Sequence, residues 1–138
     1  MAGLVKVLIV DDNSYVRDVL TCMLKEIGFQ IITAVDGLMG LKMAEAERPD
    51  LIITDINMPH MNGIQMIARL RGQSEFVGVP ILVVSSNGSK ELDAALSAGA
   101  NLAMHKPLDF DSLRHRISRL LAKGSGKASF NTTDKTFS

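Results

Sequence analysis

Hydrophobic and polar positions along the 138-residue chain follow two periods in turn, and each change of period marks an element boundary. Short aliphatic or β-branched runs predict buried strands, and apolar residues at helical spacing predict amphipathic helices. Each predicted strand is followed by a helical pattern, so a strand–helix unit occurs five times. The predicted strands are residues 5–10, 30–35, 51–54, 80–84 and 101–105.

Residues with capping preferences stand at the predicted boundaries and support this division. Strands that alternate with helices predict a parallel sheet covered by helices on both faces, with right-handed crossovers. The fold class is therefore α/β, doubly wound, with one domain over residues 1–123. The predicted helix caps are Asn13 or Ser14, Asp36, Asn62, Ser89 and Asp109, and Gly28 and Gly99 end helices.

Residues 124–138 differ in composition from the rest of the chain. They consist mainly of Gly, Ser, Thr and Lys, with two isolated phenylalanines and no hydrophobic period. A segment of this kind cannot bury enough apolar surface to fold alone. We therefore predict a flexible polar C-terminal tail.

Charge and cysteine usage exclude several broad classes of protein. The 15 basic and 15 acidic residues balance, which indicates no general attraction to nucleic acid or membrane. The single cysteine, Cys22, excludes an intrachain disulfide framework and a CxxC metal motif. No apolar run approaches the ~20 residues of a membrane span, and residues 1–6 lack a signal-peptide core. These features favour a cytoplasmic protein.

Polar side chains that can bind ions or take part in a reaction follow four of the predicted strands. Parallel strands end at one edge of the sheet, where α/β folds bind ligands, so these side chains should share a crevice. Three carboxylates there remain ionised only with a cation among them, and carboxylate oxygens suit Mg²⁺. An Asp, a lysine, a hydroxyl and Mg²⁺ together fit phosphoryl transfer. The residues are Asp11, Asp12, Asp55, Ser85 and Lys106.

The sequence argues against two other kinds of phosphate-binding protein. A flavodoxin-like fold can hold FMN, but the first loop, residues 11–14, is acidic and lacks glycine. A P-loop nucleoside triphosphatase needs GxxxxGK[ST], which is absent from the sequence. Asp55 taken alone could also be an ordinary loop carboxylate that caps a helix.

Several motifs occur together and in order at the strand ends. They are IVDD at 9–12, PDLIITD at 49–55, MPHMNG at 58–63, PILVVS at 80–85, and GA at 99–100 before KP at 106–107. With these motifs, residues 5–122 resemble the receiver domain of two-component response regulators, in particular the stand-alone, chemotaxis-regulator-like type. The resemblance implies a flavodoxin-like (βα)5 fold with strand order 2-1-3-4-5.

The resemblance also implies roles for individual residues. Asp55 is the expected phosphoacceptor, which takes a phosphoryl group from a phosphohistidine on a sensor histidine kinase. Asp12, Asp55 and the backbone carbonyl of Asn57 are the expected Mg²⁺ ligands, with Asp11 acting through water. Lys106 is expected to pair with Asp55 and then with the phosphoryl oxygens.

Switching roles follow from the same resemblance, with one departure. Ser85 is expected to turn toward the phosphoryl group, and the bond before Pro107 is expected to be cis. Receiver domains often carry an aromatic ring or histidine three residues before the lysine, where this chain has Ala103. Because a methyl group cannot gate by rotation, we expect the signal to pass through residues 86–89 and the following helix.

The predicted function is a phosphorylation-dependent switch that catalyses its own phosphorylation and binds a downstream target protein, without direct nucleic-acid binding or membrane insertion. Three alternatives remain open, and one of them is that this is a single domain of a hybrid kinase. The domain could pass the phosphoryl group onward to a histidine phosphotransfer protein. It could instead be a receiver-like adaptor that binds a partner without phosphorylation, although the set of Asp12, Asp55, Ser85 and Lys106 argues against this.

Overall fold

Strands and helices alternate throughout the part of the chain that the computed structural model describes, residues 4–124. The order agrees with the hydrophobic pattern, element by element. The strands are β1 (Lys6–Val10), β2 (Gln30–Ala34), β3 (Leu51–Thr54), β4 (Ile81–Ser85) and β5 (Leu102–His105). The helices are α1 (Ser14–Ile27), α2 (Gly37–Glu47), α3 (Gly63–Arg71), α4 (Ser89–Ala98) and α5 (Phe110–Gly124).

All neighbouring strands pair in parallel, in the order β2-β1-β3-β4-β5. This confirms the predicted doubly wound α/β fold. The central strands carry the continuous apolar runs expected of a sheet covered on both faces. Val10 pairs with Thr54, and Thr54 pairs with Val83, so β1, β3 and β4 end nearly level. The residues that follow them therefore meet at one edge.

Two hydrophobic layers enclose the sheet. Alternate residues of each central strand point to opposite faces, because side chains alternate along a strand. Leu8 and Ile52 pack under α2, α3 and α4, whereas Ile9 and Ile53 pack under α1 and α5. All four are at most 1% exposed, so the sheet that carries the polar edge is fixed on both sides.

Side-chain caps place three helix N-termini near that edge. Asn13, Asp36 and Asn62 each accept a backbone N–H bond three residues ahead, as predicted. The cap predicted at Ser89 is wrong. Gly88 occupies the N-cap position of α4 without a side-chain bond, and Ser89 is the first helical residue. Capping preference alone does not distinguish adjacent positions of this kind.

Two segments of the chain differ from the prediction in small ways. Residues 72–78, predicted as a loop, contain a 3₁₀ turn at Ser74–Phe76. Helix α5 includes Gly124, one residue beyond the predicted boundary. The predicted tail otherwise lies outside the described residues. Within residues 4–124, no helix combines the length and apolar character needed to cross a bilayer.

Candidate functional site

The carboxyl ends of three strands bring a lysine and two aspartates into direct contact. Asp11 follows β1, Asp55 follows β3 and Lys106 follows β5. The Nζ atom of Lys106 lies 3.1 Å from Asp55 Oδ2 and 3.3 Å from Asp11 Oδ2. The ammonium group therefore bridges two carboxylates that are 44 residues apart in the sequence.

Asp12 completes a cluster of three carboxylates. Asp11, Asp12 and Asp55 each offer an oxygen atom, and these atoms lie within 4.8 Å of one another. The three side chains differ in solvent exposure: Asp11 is buried, Asp55 is half-buried and Asp12 is exposed. We call this cluster, together with Lys106, the acidic pocket, and its exposed side is that of Asp12.

Backbone and side-chain donors fix the orientation of the two inner carboxylates. Asp55 Oδ1 accepts the N–H of Ile56 at 2.6 Å, which leaves Oδ2 facing Lys106. Asp11 Oδ1 accepts the N–H of Asn13 at 2.9 Å. Arg17 donates to the backbone carbonyl of Asp11 at 2.8 Å. The Asp55 carboxylate is therefore oriented by the Ile56 N–H on one oxygen and by Lys106 on the other.

Electrostatics in the pocket disfavour the ionised form of Asp11. Burial raises the pKa of the Asp11 carboxyl above its usual value, and the nearby charge of Asp55 adds to the increase. The hydrogen bond from Asn13 and the charge of Lys106 offset only part of it. Burial also lowers the pKa of Lys106, but bonds and charges from Asp55 and Asp11 outweigh it, so the net change is upward.

The donor chemistry fits a divalent cation. Three carboxylates with converging oxygens are the ligand type that Mg²⁺ takes. Lys106 contacts two of them, and one ammonium cannot neutralise three negative charges. A metal ion would supply the missing positive charge and would also offset the desolvation of Asp11.

The unfavourable environment of the ionised Asp11 carboxylate predicts the effect of Asp11→Asn on the metal-free protein. Because the folded pKa lies above the unfolded one, the contribution of Asp11 to stability is complete below its ordinary value of 3.8. It is lost as pH rises through the folded pKa. At pH 7 with a chelator, we expect Asp11→Asn to increase the free energy of unfolding by about 0.5–2 kcal/mol.

Urea denaturation measures this change, and the gain should shrink as pH falls toward 4. The exposed Asp93 on α4 provides the matched control, because Asp93→Asn removes the same charge away from the pocket. We expect the control to change stability by less than about 0.5 kcal/mol. A loss of stability in Asp11→Asn would contradict the electrostatic description.

Ser85 lies at the end of β4 and is bonded to the following loop. Its Oγ donates to Asn87 Oδ1 at 2.5 Å and accepts the N–H of Asn87 at 3.0 Å. Asn57, two residues after Asp55, donates to the same Asn87 oxygen at 3.2 Å. Asn87 therefore links the loop after β4 to the loop after β3. Ser85 is fully buried and Ser86 exposed, as expected for strand neighbours.

The structure places the remaining predicted site residues as follows. The peptide bond between Lys106 and Pro107 is cis, as expected from the resemblance. Ala103 is half-buried on β5, opposite Val83, and packs against the layer under α4. The Mg²⁺ role of the Asn57 carbonyl stays a prediction.

Sequence reasoning did not identify Arg17 as part of the site. Arg17 lies in the first turn of α1, and its side chain contacts the backbone of Asp11, directly after β1. An arginine at that position of an amphipathic helix usually faces solvent, so the sequence carries no signal for this bond.

The acidic pocket at the carboxyl edge of a 2-1-3-4-5 parallel sheet defines a flavodoxin-like α/β domain with a candidate metal site. The family model described as "Response regulator receiver domain" matches residues 7–118. The chain therefore belongs to the response regulator receiver domains of two-component systems, a family that binds Mg²⁺ at an acidic pocket.

Relatives place this domain in proteins of different length. PrrA, a transcriptional regulatory protein of Mycobacterium tuberculosis, is 38% identical over 89% of this chain and 52% of PrrA. The chain thus spans about half the length of that relative. The chemotaxis protein CheY homolog of Campylobacter jejuni is 32% identical over 88% of this chain and 96% of the relative.

A solved structure shows the corresponding fold with a metal. The receiver domain of sensor histidine kinase PA1611 from Pseudomonas aeruginosa has a TM-score of 0.81 and 26% identity. The match covers 87% of this chain and 99% of that one. A magnesium ion is coordinated in the active-site cleft of the Pseudomonas protein.

Proposed function

We propose that this domain accepts a phosphoryl group on Asp55 from a phosphohistidine of a sensor histidine kinase, and that the modification changes its affinity for a downstream protein. The observation that carries this proposal is the position of Lys106, with Nζ 3.1 Å from Asp55 Oδ2 and 3.3 Å from Asp11 Oδ2. An ammonium so placed neutralises charge on an incoming phosphoryl group.

In the transfer step, a carboxylate oxygen of Asp55 attacks phosphorus while the phosphorus–nitrogen bond of the phosphohistidine breaks. The electron pair of that bond leaves with the imidazole, which takes a proton from solvent. The product is an aspartyl phosphate, a mixed anhydride. Phosphoryl transfer depends mainly on alignment and on charge neutralisation, and the chain supplies both through Ile56 and Lys106.

Asp11, Asp12, Asp55 and the carbonyl of Asn57 are the groups that would hold Mg²⁺. When bound, the ion supplies positive charge that offsets the repulsion between the carboxylates and the phosphoryl oxygens. Asp11 contributes from its buried position, where the N–H of Asn13 fixes its carboxylate. Asp12 contributes from the open side of the pocket.

Ser85 connects the pocket to a surface loop. Its hydroxyl can bond either to Asn87 or to a phosphoryl oxygen on Asp55. The second arrangement breaks the 2.5 Å bond from Ser85 to Asn87 Oδ1. The same Asn87 oxygen also accepts a hydrogen bond from Asn57. Asn87 lies just before α4, so the change reaches the surface without a ring at Ala103. A partner then distinguishes two states of the same domain, which a switch requires.

We expect this route to appear in NMR chemical shifts. Beryllofluoride with Mg²⁺, a phosphoryl mimic, should shift residues 86–98 more than the residues of α2. An Asn87→Ala variant should show smaller changes in α4, because the bond that transmits the rotation of Ser85 is missing. Unchanged shifts in the wild-type residues 86–98 would show that this route carries no signal.

The direct test of the proposed function is incubation with acetyl phosphate and Mg²⁺, followed by intact mass spectrometry. The wild type should gain one phosphoryl group, and Asp55→Asn should gain none, because an amide is not the nucleophile that this step needs. An Asp50→Asn variant removes a carboxylate just before β3, outside the pocket, and should gain the group normally. A phosphorylated Asp55→Asn protein would overturn the proposal.

The downstream reaction can still take two forms. A target protein can bind the phosphorylated domain, or a histidine phosphotransfer protein can accept the group from Asp55. A receiver-like adaptor that works without phosphorylation would show no mass gain in the wild type. We also propose a cytoplasmic location, which the single cysteine supports, since extracellular domains of this size commonly use disulfides.

A further inference from the structure

An apolar groove runs along the outer surface of α1, beside the first residue of α5. Two adjoining hollows of about 310 and 490 Å³ form it, and both are lined by Tyr15, Val19 and Phe110. Cys22 and Met23 extend the groove along α1. We call this surface the α1–α5 groove.

The aromatic residues of the groove are unusually accessible. Tyr15 is 74% exposed, the highest value among the large apolar side chains of residues 4–124, and Phe110 is 45% exposed. Single exposed apolar residues are common, but here two aromatic rings border one depression. The groove therefore offers apolar surface that an additional segment could cover.

We propose that the C-terminal residues 125–138 of the same chain occupy the α1–α5 groove. Helix α5 begins at Phe110 in the groove and ends at Gly124. Its 15 residues span about 21 Å at 1.5 Å per residue. An extended chain needs about seven residues at ~3.3 Å each to return that distance. Residues 125–138 supply twice that length.

The chemistry of this segment matches the groove. Its large apolar residues are Phe130 and Phe137, and the rest is small, polar or charged. Two aromatic rings in a polar segment suit a groove with two aromatic walls, because offset or edge-to-face pairs are favourable. Phe130 is six residues beyond Gly124, and Phe137 is thirteen, so both can reach the groove.

Charge complementarity favours the same occupant. Asp18 and Glu26 line the groove on α1 and give it an acidic border. Residues 125–138 carry two lysines, Lys127 and Lys135, and one aspartate. Each phenylalanine therefore stands two or three residues after a lysine. A phenylalanine ring in the groove brings the charge of that lysine near the acidic border.

Tethering makes such a contact favourable even when the intrinsic affinity is low. A segment joined directly to α5 acts at an effective concentration of about millimolar. Lys106 and Pro107 form one end of the groove, and Lys106 also contacts Asp55. The seated segment consequently lies beside the acidic pocket and covers the flank of α1 next to it.

The chain contains two natural probes for this contact. Tyr15 is its single tyrosine, Cys22 is its single cysteine, and there is no tryptophan. Both probes line the α1–α5 groove. The reaction rate of Cys22 with a maleimide and the quenching of Tyr15 fluorescence by acrylamide thus report on the groove in the full chain.

We expect the double variant Phe130→Ala/Phe137→Ala to react faster at Cys22 and to be quenched more strongly at Tyr15. An increase of about fivefold in rate corresponds to a groove that is covered about 80% of the time. The matched control is Thr132→Ala/Thr133→Ala, which changes the same segment but keeps both rings. This control should react at the wild-type rate.

Three results would overturn the proposal. The first is an unchanged Cys22 rate and unchanged quenching in the double phenylalanine variant. The second is an equal increase in the threonine control, which would show that the rings are not the contact. The third is a wild-type rate that rises on dilution, which would identify a second copy of the chain as the occupant. Circular dichroism of each variant confirms that the fold is intact.

Discussion

Replacing Lys106 with alanine should lower the rate of phosphorylation by acetyl phosphate by about 100-fold or more, the usual cost of removing a preorganised charge donor at a reacting group. The ammonium contacts both Asp55 and Asp11 at 3.1 and 3.3 Å. Without it, the phosphoryl oxygens approach a pocket whose negative charge is less compensated. The rate is measured by intact mass at fixed Mg²⁺ concentration.

Binding of Mg²⁺ separates this role from general damage to the pocket. The carboxylates remain in the Lys106→Ala variant, so Mg²⁺ should bind with wild-type or higher affinity while phosphorylation is slow. Lys90→Ala is the matched control, because Lys90 is an exposed lysine of α4. A Lys106→Ala protein that is phosphorylated at the wild-type rate would show that this lysine does not act on the phosphoryl group.

Gly63→Ala should destabilise the domain by about 3 kcal/mol, because it forces a methyl group into a filled space. A Cβ atom at Gly63 would lie 2.1 Å from the backbone oxygen of Asp55, far inside any normal contact. The N–H of Gly63 also donates to the carbonyl of Ile56 at 2.8 Å, which draws the start of α3 against the end of β3. The substitution should therefore displace Asp55 and slow phosphorylation as well.

Gly72 provides the control for this substitution. It lies at the end of α3 with a right-handed helical backbone, and the nearest atom to a built Cβ is 3.6 Å away. Gly72→Ala should leave stability unchanged or raise it by about 0.4–1 kcal/mol. Urea denaturation compares the two variants. Equal stability of Gly63→Ala and Gly72→Ala would show that the close contact with Asp55 does not constrain the loop.

The sheet could be predicted because each of its strands has a simple sequence pattern. The runs at 7–10, 51–53 and 81–84 are apolar on both faces, and their short length between turn residues favours buried parallel strands over helices. Parallel pairing then fixes which residues meet at the edge. The N-terminus of α4 was less predictable, since Gly88 and Ser89 are both acceptable caps and the loop geometry decides between them.

Contacts within the site also differ in whether the sequence predicts them. The approach of Lys106 to Asp55 follows from topology, because both residues directly follow strands of one sheet. The bonds of Asn87 to Ser85 and Asn57 depend on side-chain rotation in two loops, which no periodic pattern encodes. The bond from Arg17 to the Asp11 carbonyl depends on how α1 packs on β1. Strand ends are thus predictable, and the hydrogen bonds between loops are not.

The most direct test of the central claim is to locate the phosphoryl group after transfer. The protein is treated with acetyl phosphate and Mg²⁺, and borohydride then reduces any aspartyl phosphate to homoserine. Peptide mass spectrometry identifies the reduced position. We expect homoserine at position 55 and unmodified aspartate at positions 11 and 12. Homoserine at another position, or none in the wild type, would contradict the assignment of Asp55 as the phosphoacceptor.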